Sequence, residues 1–88
     1  MSYVLRLQPA ARKDLDRLPD PDFRRVDAAI AALPLNPRPY GVQKLKENLH
    51  RIRVGHWRVI YAVLDHRREV VVLRIARRNE QTYKFLIR

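Results

Sequence analysis

Eighty-eight residues leave room for one domain with a single modest core, and the absence of cysteine excludes disulfides and thiolate metal sites. Nineteen Lys and Arg against nine Asp and Glu give a formal net charge of +10. That excess favours a polyanionic partner: nucleic acid, an acidic membrane surface or an acidic protein. No apolar run approaches the ~20 residues of a membrane span, and the first residues lack the long apolar region of a signal peptide, so a cytoplasmic protein without a membrane partner is expected.

Tyr3 to Leu7 alternates strand-forming residues and predicts a first strand. Pro9 then occupies a first helical position, where its missing N–H is harmless. Ala11, Leu15 and Leu18 follow on one helical face until Pro19. Asp20-Pro21 predicts a second helix, with an N-cap type before a proline at N1. Phe23, Val26, Ile30 and Leu33 keep its spacing up to Pro34. Pro34 to Gly41 is a proline-broken connector, and Lys44-Leu45-Lys46 reads as a short edge strand or turn.

Next comes a hairpin, His50 to Ala62, turning at Gly55-His56. Asp65 to Arg68 is a polar turn, and Glu69 to Ala76 a strand apolar enough to be buried on both faces. Asn79 can cap a short last helix with Tyr83, Leu86 and Ile87 on its apolar side. The expected fold is a single α+β domain over residues 1–88, in the order β-α-α-β-β-β(-β)-α. Its two N-terminal helices pack on one face of a small, mainly antiparallel sheet.

The hairpin places its charges unusually. Gly at the first loop position suits a two-residue type II′ turn, which pairs Val54 with Trp57 and Arg53 with Arg58. Side chains alternate along a strand, so Arg51, Arg53 and Arg58 share one face. Like charges directly opposed destabilise a sheet by roughly 0.2–1 kcal/mol, and folding alone gains nothing from the cluster. The reading is either an anion site or a solvated outer face. If Leu64 pairs with Glu69, Arg58 lies opposite Ile75 and Arg77 joins the cluster while Arg78 faces away; a one-residue slip exchanges them. The opposite face, with Ile52, Val54, Trp57, Val59, Tyr61, Val63, Val70 and Val72, is expected under the helices. Four guanidiniums on one face make a strong phosphate site. Tyr83 either stacks a base over that face or anchors the last helix in the core.

No pair among His50, His56 and His66 has metal-ligand spacing, so no metal is expected. With two glycines in the chain there is no phosphate-cradling loop, and no cofactor is expected. His56, beside the ends of the arginine strands, is a candidate for proton transfer.

The run KLKENLHRIRVGHWRVIY, ending at Tyr61, resembles the core motif of the RelE/ParE toxins of bacterial toxin–antitoxin systems. Arg-Val-Gly-x-x-Arg-Val-Ile-Tyr is its most specific part. The element order matches along essentially the whole chain, and Tyr83 after the basic pair Arg77-Arg78 matches more loosely. The resemblance implies a small toxin whose RelE-like relatives enter the ribosomal A site and cut mRNA there. They use the substrate's own 2′-hydroxyl and need no metal. It carries catalytic positions onto Arg51, Arg53, Arg58, Arg77 or Arg78, and Tyr83. Lys44, Lys46 and Arg74, with Arg51 and Arg53, are expected to contact mRNA and rRNA. Some relatives carry lysines at the positions of Arg51 and Arg53; arginine stays protonated, so either Tyr83, His50 or His56 serves as general base or the reaction runs mainly on electrostatics with the ribosome's help. The implied partner is an antitoxin with an acidic segment that folds on binding. ParE-like relatives poison DNA gyrase instead, and an inactive antitoxin-binding homologue is a third reading.

Overall fold

The computed structural model describes residues 2–78. The last helix expected from Asn79, with Tyr83, Leu86 and Ile87, lies outside the described residues. Strand β1 (Val4–Leu7) is followed by helices α1 (Pro9–Asp16) and α2 (Asp22–Ala32). Strands β2 (Gln43–Lys46), β3 (Leu49–Val54), β4 (Trp57–Leu64) and β5 (Glu69–Arg77) complete the described chain, with one 3-10 turn at Asp65–Arg67. The five strands lie in the order β1-β5-β4-β3-β2. β2 to β5 form the expected antiparallel meander, whereas β1 pairs parallel to β5. The α+β reading holds, with a mixed sheet.

Both helices read as the apolar spacing predicts, with shorter bounds. α1 starts at Pro9 and ends at Asp16, and Leu18 is buried just beyond it. α2 starts one residue later than the Asp20-Pro21 pair suggests. Asp20 caps nothing, because Pro21 (φ −88°, ψ 1°) is itself the flanking residue and makes no side-chain cap. Asp22 instead places its carboxylate in the first turn, where the helix dipole favours negative charge.

Ala11 and Leu15 of α1 and Val26 and Ile30 of α2 are buried against one sheet face. That face is the one the alternation assigned to the helices. Ile52, Val59, Tyr61, Val63, Val70 and Val72 are buried in it, and Val54 and Trp57 pack at its margin. Tyr61 is fully buried and its hydroxyl donates to the Pro37 carbonyl at 2.7 Å, which satisfies the one polar atom it carries inward. Burial pushes its phenol pKa up to about 12. A smaller apolar cluster of Leu49, Ile60 and Ala76, flanked by Leu45 and Leu73, occupies the other face. Among the described residues, no helix is long and apolar enough to cross a membrane.

Two anchors fix the layers. Asp65 accepts from Arg38 at 2.8 and 3.2 Å and from the Tyr3 hydroxyl at 2.6 Å, tying connector, turn and N-terminal strand together. These donors hold the Asp65 carboxyl down at about 2. Asp14 of α1 accepts from Arg74 at 2.8 and 3.2 Å and from the Ile75 N–H at 2.9 Å. β1 pairs with β5 only as far as Val72, so this carboxylate serves the backbone beyond the end of that ladder. Removing one partner of a largely buried charged network leaves the others unsatisfied. Asp14→Ala is therefore expected to lower unfolding stability by about 2 kcal/mol in urea titrations and to speed amide exchange at Ile75.

Candidate functional site

The Gly55-His56 turn forms as the sequence implies. Gly55 has φ +61°, the first-position conformation of a type II′ turn. Val54 pairs with Trp57 and Arg53 with Arg58. Directly paired residues share a face, so Arg51, Arg53 and Arg58 stand together on the side away from the helices, Arg51 facing Ile60. Arg53 is exposed and the other two are half-buried.

β5 departs from the expected register. The turn pairs Leu64 with Glu69 as anticipated, but a bulge between the partners of Ile60 and Tyr61 leaves Leu73 without a cross-strand partner. Two residues then oppose one, and the alternation beyond shifts by one place. Arg58 consequently faces Ala76, not Ile75, and Arg77 faces Trp57 on the helix side. The Arg77 guanidinium lies 5.1 Å from the centre of the Trp57 ring, a cation–π distance. The indole N–H of Trp57 donates to Asp22 at 3.1 Å, so the same ring joins β4, β5 and α2. Alternation assigns Arg78 to the arginine face, and its N–H donates to the His56 carbonyl at 2.7 Å. Arg77 therefore leaves the face on which it was expected, and Arg78, expected to face away, lines a pocket with Arg58 and Arg77.

Two open pockets flank the Arg53–Arg58 pair. His56, Arg58, Arg77 and Arg78 line one of about 530 Å³. Arg51 and Arg53 line the other, of about 470 Å³, with Gln43, Ile52, Val54 and residues of α2 and the connector. Arg51 donates to the Gln43 side chain across β3 and β2. Neither lining includes a carboxylate. Cations presented in this way hold phosphate oxygens in bidentate hydrogen bonds.

The remaining predicted residues fall elsewhere. Arg74 is held by Asp14 at the α1–β5 junction. A register shift in β2 pairs Lys44 with His50 and Lys46 with Leu49, so the two lysines lie on opposite faces and Lys46 takes the arginine side. Tyr83 lies outside the described residues. Tyr40, which the sequence reading passed over inside the proline-broken connector, lines the pocket of Arg51 and Arg53.

The two candidate histidines separate completely. His56 is exposed at the hairpin tip, among the arginines. His50 is 3% exposed and pairs with Tyr61 on the helix side. Its ring stacks on Tyr61 with centroids 5.7 Å apart, and Nδ1 lies 2.8 Å from the Asn48 carbonyl. A carbonyl only accepts, so Nδ1 carries the proton. Burial holds the His50 pKa below its ordinary 6.5, assisted by Arg38 and Lys44 and opposed by the Asn48 bond and Asp65.

The comparisons fit this geometry. Residues 5–82 match the model of the ParE toxin of the type II toxin–antitoxin system parDE. The chain belongs to the RelE/ParE family of type II toxin–antitoxin toxins. It is 32% identical to RelE1 of Methanocaldococcus jannaschii over 96% of this chain and 98% of that protein. To the toxin RelE of Mycobacterium tuberculosis it is 34% identical over 88% of this chain and 82% of that one. The crystal structure of the archaeal RelE–RelB complex from Pyrococcus horikoshii superposes with a TM-score of 0.82 and 28% identity, over 92% of this chain and 100% of that one. The RelE-like branch thus accounts for sequence and fold together.

His50 serves the fold, which has a pH signature. The unfolded chain binds a proton near 6.5, whereas the folded chain takes it up only at lower pH. This contribution to stability is fully present above 6.5 and is lost as pH falls below it. Urea midpoints of the wild type are expected to decline on acidification from pH 7 to 5, and His50→Phe, which keeps a ring against Tyr61, to flatten that decline.

Proposed function

We propose that this toxin is a ribosome-dependent mRNA endoribonuclease that works without metal or cofactor. The observation that carries the reading is the pocket in which His56, Arg58, Arg77 and Arg78 converge beside the Arg53–Arg58 pair. In-line attack of a 2′-hydroxyl on the adjacent phosphodiester gathers negative charge on the phosphoryl oxygens. Cations fixed around that position stabilise the transition state by several kcal/mol. Arg58 and Arg78 take the phosphate, Arg77 supports from its seat on Trp57, and Arg51 and Arg53 hold the neighbouring backbone. A 2′,3′-cyclic phosphate forms as the P–O5′ bond breaks.

Proton transfer needs a side chain with an atom able to accept a proton, and guanidinium has none. The His56 imidazole lies in the pocket; His50 is buried on the opposite face. His56 therefore accepts the 2′-hydroxyl proton in this reading. Tyr83, Lys46 and the ribosome's own RNA complete the substrate contacts, and the protein acts in the cytoplasm. Relatives are found as RelE–RelB toxin–antitoxin complexes. An antitoxin with an acidic segment, folding over the arginine face, is the corresponding partner here.

The match to the ParE model favours a second reading, a gyrase poison that cuts no RNA. Primer extension on translating ribosomes separates the two. Discrete cuts in A-site codons are expected with the wild type, falling at least a hundredfold in Arg58→Ala, with His56→Gln slowed. Gyrase-dependent DNA breaks without mRNA cutting would establish the second reading instead.

A further inference from the structure

The pocket of Arg51 and Arg53 has an aromatic wall. Tyr40 is 106% exposed, the most exposed of the large hydrophobic side chains among the described residues. The backbone turn that carries it is nevertheless held in place. The Val42 N–H donates to the Pro39 carbonyl at 3.0 Å, closing a turn with Tyr40 and Gly41 at its centre. Gly41 has φ +88°, as the third position of a type II turn requires. The base of this loop is tied to the sheet by the Tyr61 hydroxyl on Pro37 and by Arg38 on Asp65. An anchored turn thus presents a phenol ring to solvent at the mouth of a pocket of about 470 Å³ that holds two arginines.

We propose that this pocket is a nucleotide subsite, in which Tyr40 stacks a base of single-stranded RNA while Arg53 and Arg51 hold its phosphate. The inference deepens the nuclease reading and rests on it for the identity of the strand. Stacking on an exposed aromatic beside backbone-binding cations is how single-stranded nucleic acid is held without sequence readout. An acidic peptide would use the arginines but has no need of an exposed ring; a nucleotide uses both. The strand then runs from the Arg58–Arg78 pocket past the Arg53–Arg58 pair to Tyr40.

The test is fluorescence anisotropy with a labelled single-stranded oligonucleotide whose 2′-positions are methylated, so that binding is read without cutting. Tyr40→Ala is expected to weaken binding about tenfold with an unchanged salt slope, and Tyr40→Phe to bind like the wild type. Arg53→Ala should weaken binding and lower the salt slope by about one. An abasic spacer at the stacked position should remove the Tyr40→Ala effect. Equal affinity of Tyr40→Ala and wild type overturns the proposal, as does loss of affinity for an acidic peptide alone. Failure of mRNA cutting with these binding effects intact would overturn the nuclease reading and leave the subsite standing.

Discussion

Arg53 and Arg58 face each other across β3 and β4, and like charges so placed work against the sheet. The opposite face of the same strands has to carry the fold. Ile52 and Val59, on that face, are buried under α1 and α2 with Tyr61, Val63, Val70, Val72 and Ile75. A large-to-small change at such a site costs roughly 0.5–5 kcal/mol, depending on what is removed, against less than about 1 kcal/mol for the arginine pair. Packing therefore outweighs repulsion, and the arginine face is held in a geometry that its own charges oppose. Strand alternation keeps the two demands apart: one side of each residue pair is fixed by the core, the other is left to chemistry.

The parts of this arrangement that were legible in the sequence are those fixed locally. A glycine at the first turn position sets the β3–β4 register within two residues, and every side chain on both strands follows by parity. Apolar spacing in α1 and α2 likewise identifies the buried stripe without knowledge of what covers it. The arginines of β5 were not legible in the same way. Their facing depends on Leu73, which carries no glycine or other local mark of a bulge. The partner at that stretch, Asp14, is 60 residues away in sequence from Arg74. The same kind of slip in β2 parts Lys44 from Lys46. Tyr40 was missed because a proline-rich connector reads as punctuation; its place beside Arg51 and Arg53 arises only when a turn and two anchors give the loop one shape.

His50 and His56 are six residues apart in one hairpin and meet different fates. Parity sends His50 to the helix side, where Tyr61 and the Asn48 carbonyl use up its ring, and burial disfavours its charged form. His56 lies in the turn, where strand parity no longer governs, and opens onto the arginines. Proximity in sequence to the arginine strand is thus a poor guide to which imidazole reaches the arginine pocket. Facing and exposure decide it, and both follow from the turn position at Gly55.

Charge balance supports the same division of faces. Asp14, Asp22 and Asp65 are engaged with Arg74, Trp57 and Arg38, all contacts that hold helices, connector and sheet together. The two pockets beside the arginine pair contain cations and no carboxylate in their linings. An anion approaching that end of the sheet meets arginines whose backbone is set by strand and turn, with Arg51 held by Gln43 and Arg77 by the Trp57 ring, so part of the ordering entropy is lost before it binds. A surface whose basic residues were scattered at random over a chain of net charge +10 would attract the same anion but would have to assemble its contacts afresh. The distinction is one of preorganisation, and it is carried by the β-strand register and the bulge at Leu73 rather than by the number of arginines.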